Sequence, residues 1–172
     1  MAGFGPKNRF CMEEREDRFA DSFRDEEMRL TIDASVFVSA ARPSEKLYPL
    51  SYRFLHRVKG SKIFCPNLVL AECGAAIARP TGDSFLSARL VNLIKNFPGM
   101  TQISLDLPLA LRAAEIAIEN RLRGADAVYV AVASDYDAIL VSWDEEMLER
   151  CPESVLAMRP EAWLENAART GE

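Results

Sequence analysis

GADAVYVAVASDYDAILVSWDEEML, residues 124–148, is the stretch whose reading decides the fold. Residues 125–133 are apolar or small on every face of a helix, with Asp126 as the exception. That pattern suits a helix buried at the centre of a domain rather than one laid on its surface. AILVS then reads as a fully buried strand ending near Ser142, and EEMLERC as a short helix behind it. A central helix feeding a buried strand is the signature of an α/β domain with a covered, largely parallel sheet.

The chain upstream repeats the alternation. RLTIDASVFV gives a short buried strand over residues 30–32 ending at Asp33, and SVFVSAA a short helix. EKLYPLSYRFLHRVKG carries Leu47, Leu50, Phe54, Leu55 and Val58 at helical spacing, with Pro49 early, where its missing N–H costs little, and Gly60 as a stop. KIFCP is a second strand. NLVLAECGAAIARP is helical and expected to close before Pro80 and Gly82. Asp83 or Ser84 caps a helix through Phe97, TQISL is a strand, and Asp106 caps LPLALRAAEIAIENRL, with Gly124 ending that unit. SVLAM is the last strand and PEAWLENA the last helix. The expectation is a three-layer α/β/α domain with a central, mostly parallel sheet, over residues 29–172. Residues 1–28 are expected to form a charged arm, disordered or a marginal helix. Met28 and Met12 are candidates for the true start of translation.

Composition bounds what such a chain does. With 172 residues it is long enough for one substantial core, and 49% hydrophobic against 27% charged residues is ordinary for a folded protein. No apolar run approaches the roughly 20 residues of a membrane span, and no secretory signal opens the chain, so a cytoplasmic protein away from the membrane is expected. The cysteines Cys11, Cys65, Cys73 and Cys151 form no CxxC pair, and with His56 the sole histidine they do not spell a zinc site. They read as reduced, mostly buried thiols. The net charge of −5 argues against wholesale adhesion to nucleic acid. Residues 1–28 hold five basic and eight acidic side chains, so the remainder carries −2. Within it Arg42, Lys46, Arg53, Arg57, Lys59 and Lys62 oppose Glu45 alone over residues 42–62, a stretch able to face a polyanion or simply a solvated surface.

Four acids stand out on this scaffold. Asp33 and Asp144 fall at or just after strand ends, where open parallel sheets gather functional groups. Asp126 lies in the first turn of its helix, favoured there by the backbone dipole. Glu72 interrupts an otherwise apolar or small-residue helix, and a buried carboxylate must be paired, protonated or bound to a cation. Each also has a plain structural reading: Asp33, Asp126 and Asp144 as helix caps or first-turn acids, Glu72 as a surface acid.

Taken in order, LTIDASVFV, NLVLAECGAAI, GADAVYVAVA and AILVSWDEEML resemble the motifs of the PIN-domain family, especially the VapC-type toxin ribonucleases of toxin–antitoxin pairs. The likeness covers residues 29–167. It places the family's four acids on Asp33, Glu72, Asp126 and Asp144, with Ser142 at the Thr or Ser position two before the last acid and Ser35 at the small polar position two after the first. Two departures are visible. Glu146 stands where such toxins often carry a further acid or Asn, leaving a fifth ligand open, and Trp143 is bulky for its place.

The resemblance implies hydrolysis of an RNA phosphodiester by metal-activated water, with Mg²⁺ or Mn²⁺ held by Asp33 and Asp126 and completed by Glu72 and Asp144. Ser142 would orient water or a carboxylate, and Ser35 and Glu146 would stand behind the ligands. Oxygen-only donors suit such hard ions, and clustered carboxylates need them. Arg42, Lys46, Arg53 and Arg57 are candidates to guide the RNA backbone, with stacking from Tyr48, Tyr52 or Phe54, though Phe54 fits the core better. His56 reads as a surface side chain rather than a general base. The family further implies a homodimer and a cognate antitoxin. Rival readings are a housekeeping nuclease of RNA maturation and a catalytically silent module binding RNA or protein.

Overall fold

A computed structural model describes residues 28–169; the expectations for the arm, Cys11 included, lie outside them apart from Met28. Five strands form one sheet: β1 (Arg29–Ile32), β2 (Lys62–Pro66), β3 (Met100–Ile103), β4 (Ile139–Val141) and β5 (Ala157–Met158). The order is β3-β2-β1-β4-β5 and every pairing is parallel, with Leu30 opposite Ile63 and Ile139. The helices among the described residues are α1 (Ala34–Ala40), α2 (Tyr48–Arg57), α3 (Leu68–Thr81), α4 (Ser84–Lys95), α5 (Leu107–Asn120), α6 (Gly124–Asp135), α7 (Glu145–Arg150) and α8 (Pro160–Arg169). They flank the sheet as the three-layer α/β/α reading expects.

The core follows the hydrophobic pattern. Residues 127–133 of α6 are all buried, packed against β1, β2 and β4, as a helix apolar all round requires. On the opposite flank Phe54 of α2 is fully buried and meets Trp163 of α8 edge-on, centroids 5.1 Å apart at 84°. Cys65, Cys73 and Cys151 are buried.

Three local readings need correction. α3 does not close before Pro80 but runs through it to Thr81, capped by left-handed Gly82 at φ 66°. Proline deprives the Ala76 carbonyl of its helical donor, and Arg42 supplies the missing one at 2.5 Å. Gly124 does not end α5. Left-handed Arg121, at φ 56°, does so, while Gly124 is the first residue of α6. A non-glycine residue there is strained, and its carbonyl is held by Arg150 at 2.5 Å. β5 is two residues long, shorter than SVLAM suggests.

The strand order sets the site. From β1 the chain moves outward through β2 and β3, then returns to β4 beside β1 and moves outward the other way. Connections leaving β1 and β4 in opposite directions open a crevice at their carboxyl ends, the usual ligand position in open parallel sheets.

Candidate active site

The crevice is furnished by residues immediately beyond β1 and β4. Asp33 caps α1 and is 6% exposed; its amide donates to Val141 O at 3.0 Å, which locks it to the neighbouring strand. Its Oδ2 accepts from the Ser35 amide at 3.2 Å, the Ser35 hydroxyl and the Ser142 hydroxyl at 2.8 Å. Burial still pushes the Asp33 carboxyl above the usual carboxylate range, against the pull of these bonds. Ser142, fully buried, also accepts from the Asp144 amide at 2.9 Å. One hydroxyl thus links the first acid to the fourth.

Asp144 caps α7 through Oδ1, which accepts from the Met147 amide at 2.9 Å, and leaves Oδ2 to Arg123 at 3.6 Å. The cap reading therefore holds for Asp33 and for Asp144, and both caps stand just beyond the ends of β1 and β4. Asp126 differs. It is not the cap of α6, a place held by Arg123, and its Oδ2 is buried with no hydrogen-bond partner. Its carboxyl is pushed up to about 6, first by burial, then by the charges of Asp144, Asp33 and Glu72, with Arg123 pulling the other way. Asp126 thus lies close enough to the other three acids to feel their charges. Glu72, half-buried on α3, accepts from the Tyr129 hydroxyl at 2.5 Å; burial raises its pKa despite that bond, and Asp33 adds to the rise.

The donor chemistry fits a hard divalent cation: oxygen ligands only, mutually repelling, with the Asp126 Oδ2 orphaned. As they stand, no three His, Cys, Asp or Glu side chains among the described residues are placed to hold an ion. The Ser35, Ser142 and Tyr129 hydroxyls already engage Asp33 and Glu72.

Several partners were not singled out from sequence. Tyr129 is fully buried three residues after Asp126 on α6, and its phenol was the signal, since a buried hydroxyl needs a partner. Trp143 spans the crevice: its amide donates to Ser35 Oγ at 3.1 Å and its indole to Ser51 Oγ at 2.8 Å on α2. Arg123 contacts Glu146 Oε2 at 2.8 Å as well as Asp144. Glu146 is thereby engaged by arginines, Arg150 taking Oε1 at 2.6 Å.

The basic stretch divides. Arg42 is committed within the fold, to Glu45 at 2.6 Å and to Ala76 O. Lys46, Arg53 and Arg57 are exposed, as is His56, which continues a tilted row of rings with Tyr48 and Tyr52 along α2. No described helix is long and apolar enough to cross a membrane.

No curated protein matches the sequence. Among solved structures, PAE2754 from Pyrobaculum aerophilum is similar with a TM-score of 0.60 at 22% identity, over 82% of this chain and 96% of that one. VapC20 from Mycobacterium tuberculosis, a sarcin-ricin loop cleaving toxin, gives 0.59 at 18%, over 69% and 92%. VapBC2 from Rickettsia felis, bound to a DNA fragment from their promoter, gives 0.60 at 15%, over 77% and 98%. At such identities the likeness is one of fold. The family profile of the PIN domain, however, matches residues 30–152, well over half of the sequence, and on that match the chain belongs to the PIN-domain family.

Proposed function

We propose that the chain is a Mg²⁺- or Mn²⁺-dependent ribonuclease, the toxin of a toxin–antitoxin pair. The observation that carries this reading is the buried, unpartnered Asp126 Oδ2, lying within reach of three other carboxylate charges. A group in that position is costly unless a cation receives it. Asp33 and Asp126 would hold the ion, with Glu72 and Asp144 completing the set. Bound there, a divalent cation makes water a competent nucleophile near neutral pH and stabilises charge on phosphoryl oxygens.

The chain's own residues do the rest. Ser35 and Ser142 fix Asp33 in one orientation and oppose the rise in its pKa that burial imposes. Tyr129 does the same for Glu72. The Ser142 hydroxyl holds the Asp144 amide, so the fourth acid is registered against the first. No serine, cysteine or histidine nucleophile is required; Cys65 and Cys73 are buried, with pKa values raised by that burial.

A cognate antitoxin and a homodimer belong to the same proposal, in the cytoplasm. The antitoxin is supported by the solved neighbours VapBC2 and FitAB, the latter bound to an IR36 DNA fragment. The dimer is supported by Leu107, Leu111 and Ile118, 71%, 57% and 79% exposed along one face of α5.

Purified protein incubated with structured RNAs and Mn²⁺ should cleave them, and EDTA or Asp126→Asn should stop it. Cleavage unchanged in Asp126→Asn overturns the mechanism. Induction in cells separates a toxin from a housekeeping nuclease: growth arrest relieved by a neighbouring gene supports the toxin, and normal growth opposes it.

A further inference from the structure

Four carboxylates make a poor receptor for a polyanion. Even with a divalent cation bound, a formal deficit of negative charge is not reached, so the crevice needs a cation of its own where the phosphate enters. One side chain stands there. Arg123 caps α6 one turn ahead of Asp126, its side chain is 66% exposed, and its guanidinium contacts Asp144 Oδ2 at 3.6 Å and Glu146 Oε2 at 2.8 Å. It is the cation whose charge is felt at Asp126.

Behind it runs a chain of contacts. Glu146 Oε1 takes Arg150 at 2.6 Å, and Arg150 in turn donates to the carbonyl of Arg121 at 2.5 Å. Arg121 and Arg123 bracket the turn joining α5 to α6, so α7 grips that turn at both ends. Glu146 has both oxygens occupied by guanidinium groups, which opposes its use as a further metal ligand. An exposed ion pair adds little stability. A pair that fixes where a cation sits has another use.

We propose that Arg123 receives a phosphate of the RNA at the rim of the carboxylate crevice, and that Glu146, backed by Arg150, is its positioning residue. This rests on the ribonuclease reading above. A guanidinium offers paired N–H donors to phosphate oxygens, and it leaves Asp144 for the incoming anion while remaining held by Glu146. Glu146 thereby takes the role of aiming a substrate contact.

The test uses full-length Asp126→Asn, in which cleavage is removed, with a fluorescein-labelled single-stranded 12-nucleotide RNA in Mg²⁺, read by anisotropy across a KCl series. Adding Arg123→Met should weaken binding about tenfold and reduce the log–log salt slope by roughly 0.7, the value for one single-strand phosphate contact. Arg123→Lys should keep the slope while losing affinity. Glu146→Gln should weaken binding about threefold, with an unchanged thermal midpoint excluding loss of fold. Equal affinity and slope in Arg123→Met and its parent overturn the proposal and leave the nuclease reading intact. RNA binding that depends on Arg123, together with no cleavage by the wild type in Mn²⁺, sinks the nuclease reading alone. A parent that does not bind RNA overturns both.

Discussion

The Tyr129 hydroxyl donates to Glu72 Oε2 across 2.5 Å, joining the most buried helix of the domain to the single acid of α3. The phenol has no other role visible in the core, and its own ionisation is pushed well above the usual value by burial and by Asp33 and Glu72. It is therefore a fixed donor at every pH the protein meets.

Tyr129→Phe removes the bond and leaves the ring in place. The half-buried Glu72 carboxylate then loses the interaction that lowers its pKa, which rises further. The acid limb of the cleavage profile should move to higher pH, and urea denaturation at pH 7 should show a loss of about 1–2 kcal/mol. An unmoved acid limb would mean that Glu72 does not take part in ionised form.

Asp126→Asn should abolish cleavage and raise stability in metal-free buffer. The Asp126 carboxyl, at about 6, lies above its value in the unfolded chain. Its stabilising contribution is full below the unfolded pKa near 4 and is lost as pH rises through 6. The wild type has therefore lost that contribution at pH 8, while the amide has nothing to lose. Allowing for partial solvent access, the variant should melt ~2–4 °C higher at pH 8, equivalent to about 1 kcal/mol, and the gap should close near pH 4. Mn²⁺ should raise the wild-type midpoint by more than it raises that of the variant. A gap independent of pH would show that the carboxyl is not held in that environment.

Ser142→Ala leaves two groups short at once, Asp33 Oδ2 and the Asp144 amide. With Ser142 fully buried, no water replaces the hydroxyl without rearrangement. The midpoint in urea should fall by the equivalent of about 2 kcal/mol at constant slope. The Mn²⁺ needed for half-maximal cleavage should rise as well. A stability loss with no change in metal requirement would confine Ser142 to a structural role.

The alternation of periods carried the fold in the sequence: a helix apolar on nearly every face at residues 125–133, set among short apolar strands, points to a covered sheet. Strand order was not legible, because strands of two to five residues and similar composition do not specify their neighbours. For the same reason the junction beyond β1 and β4 emerged only with the sheet. The acids were visible as interruptions of apolar runs. Their partners were not, since Tyr129 reads as core and Arg123 as solvated charge until α3 and α7 are brought beside α6. Pro80 and Gly124 stand where residue preference usually ends a helix, whereas here arginines from elsewhere in the fold donate the bonds that local sequence lacks.

That compensation is testable at Arg42, whose guanidinium gives the Ala76 carbonyl the donor that Pro80 cannot. Arg42→Met should cost about 1–2 kcal/mol, most of it from the carbonyl, since the partly exposed pair with Glu45 contributes little. Pro80→Ala restores an N–H four residues after Ala76, so in that background the same substitution should cost less than half as much. A double-mutant cycle should return a coupling of at least about 0.5 kcal/mol. RNA affinity should be unchanged by Arg42→Met, because its donors are spent inside the fold. Equal costs in the two backgrounds would assign the effect of Arg42 to Glu45, and a fall in RNA affinity would return Arg42 to the substrate path.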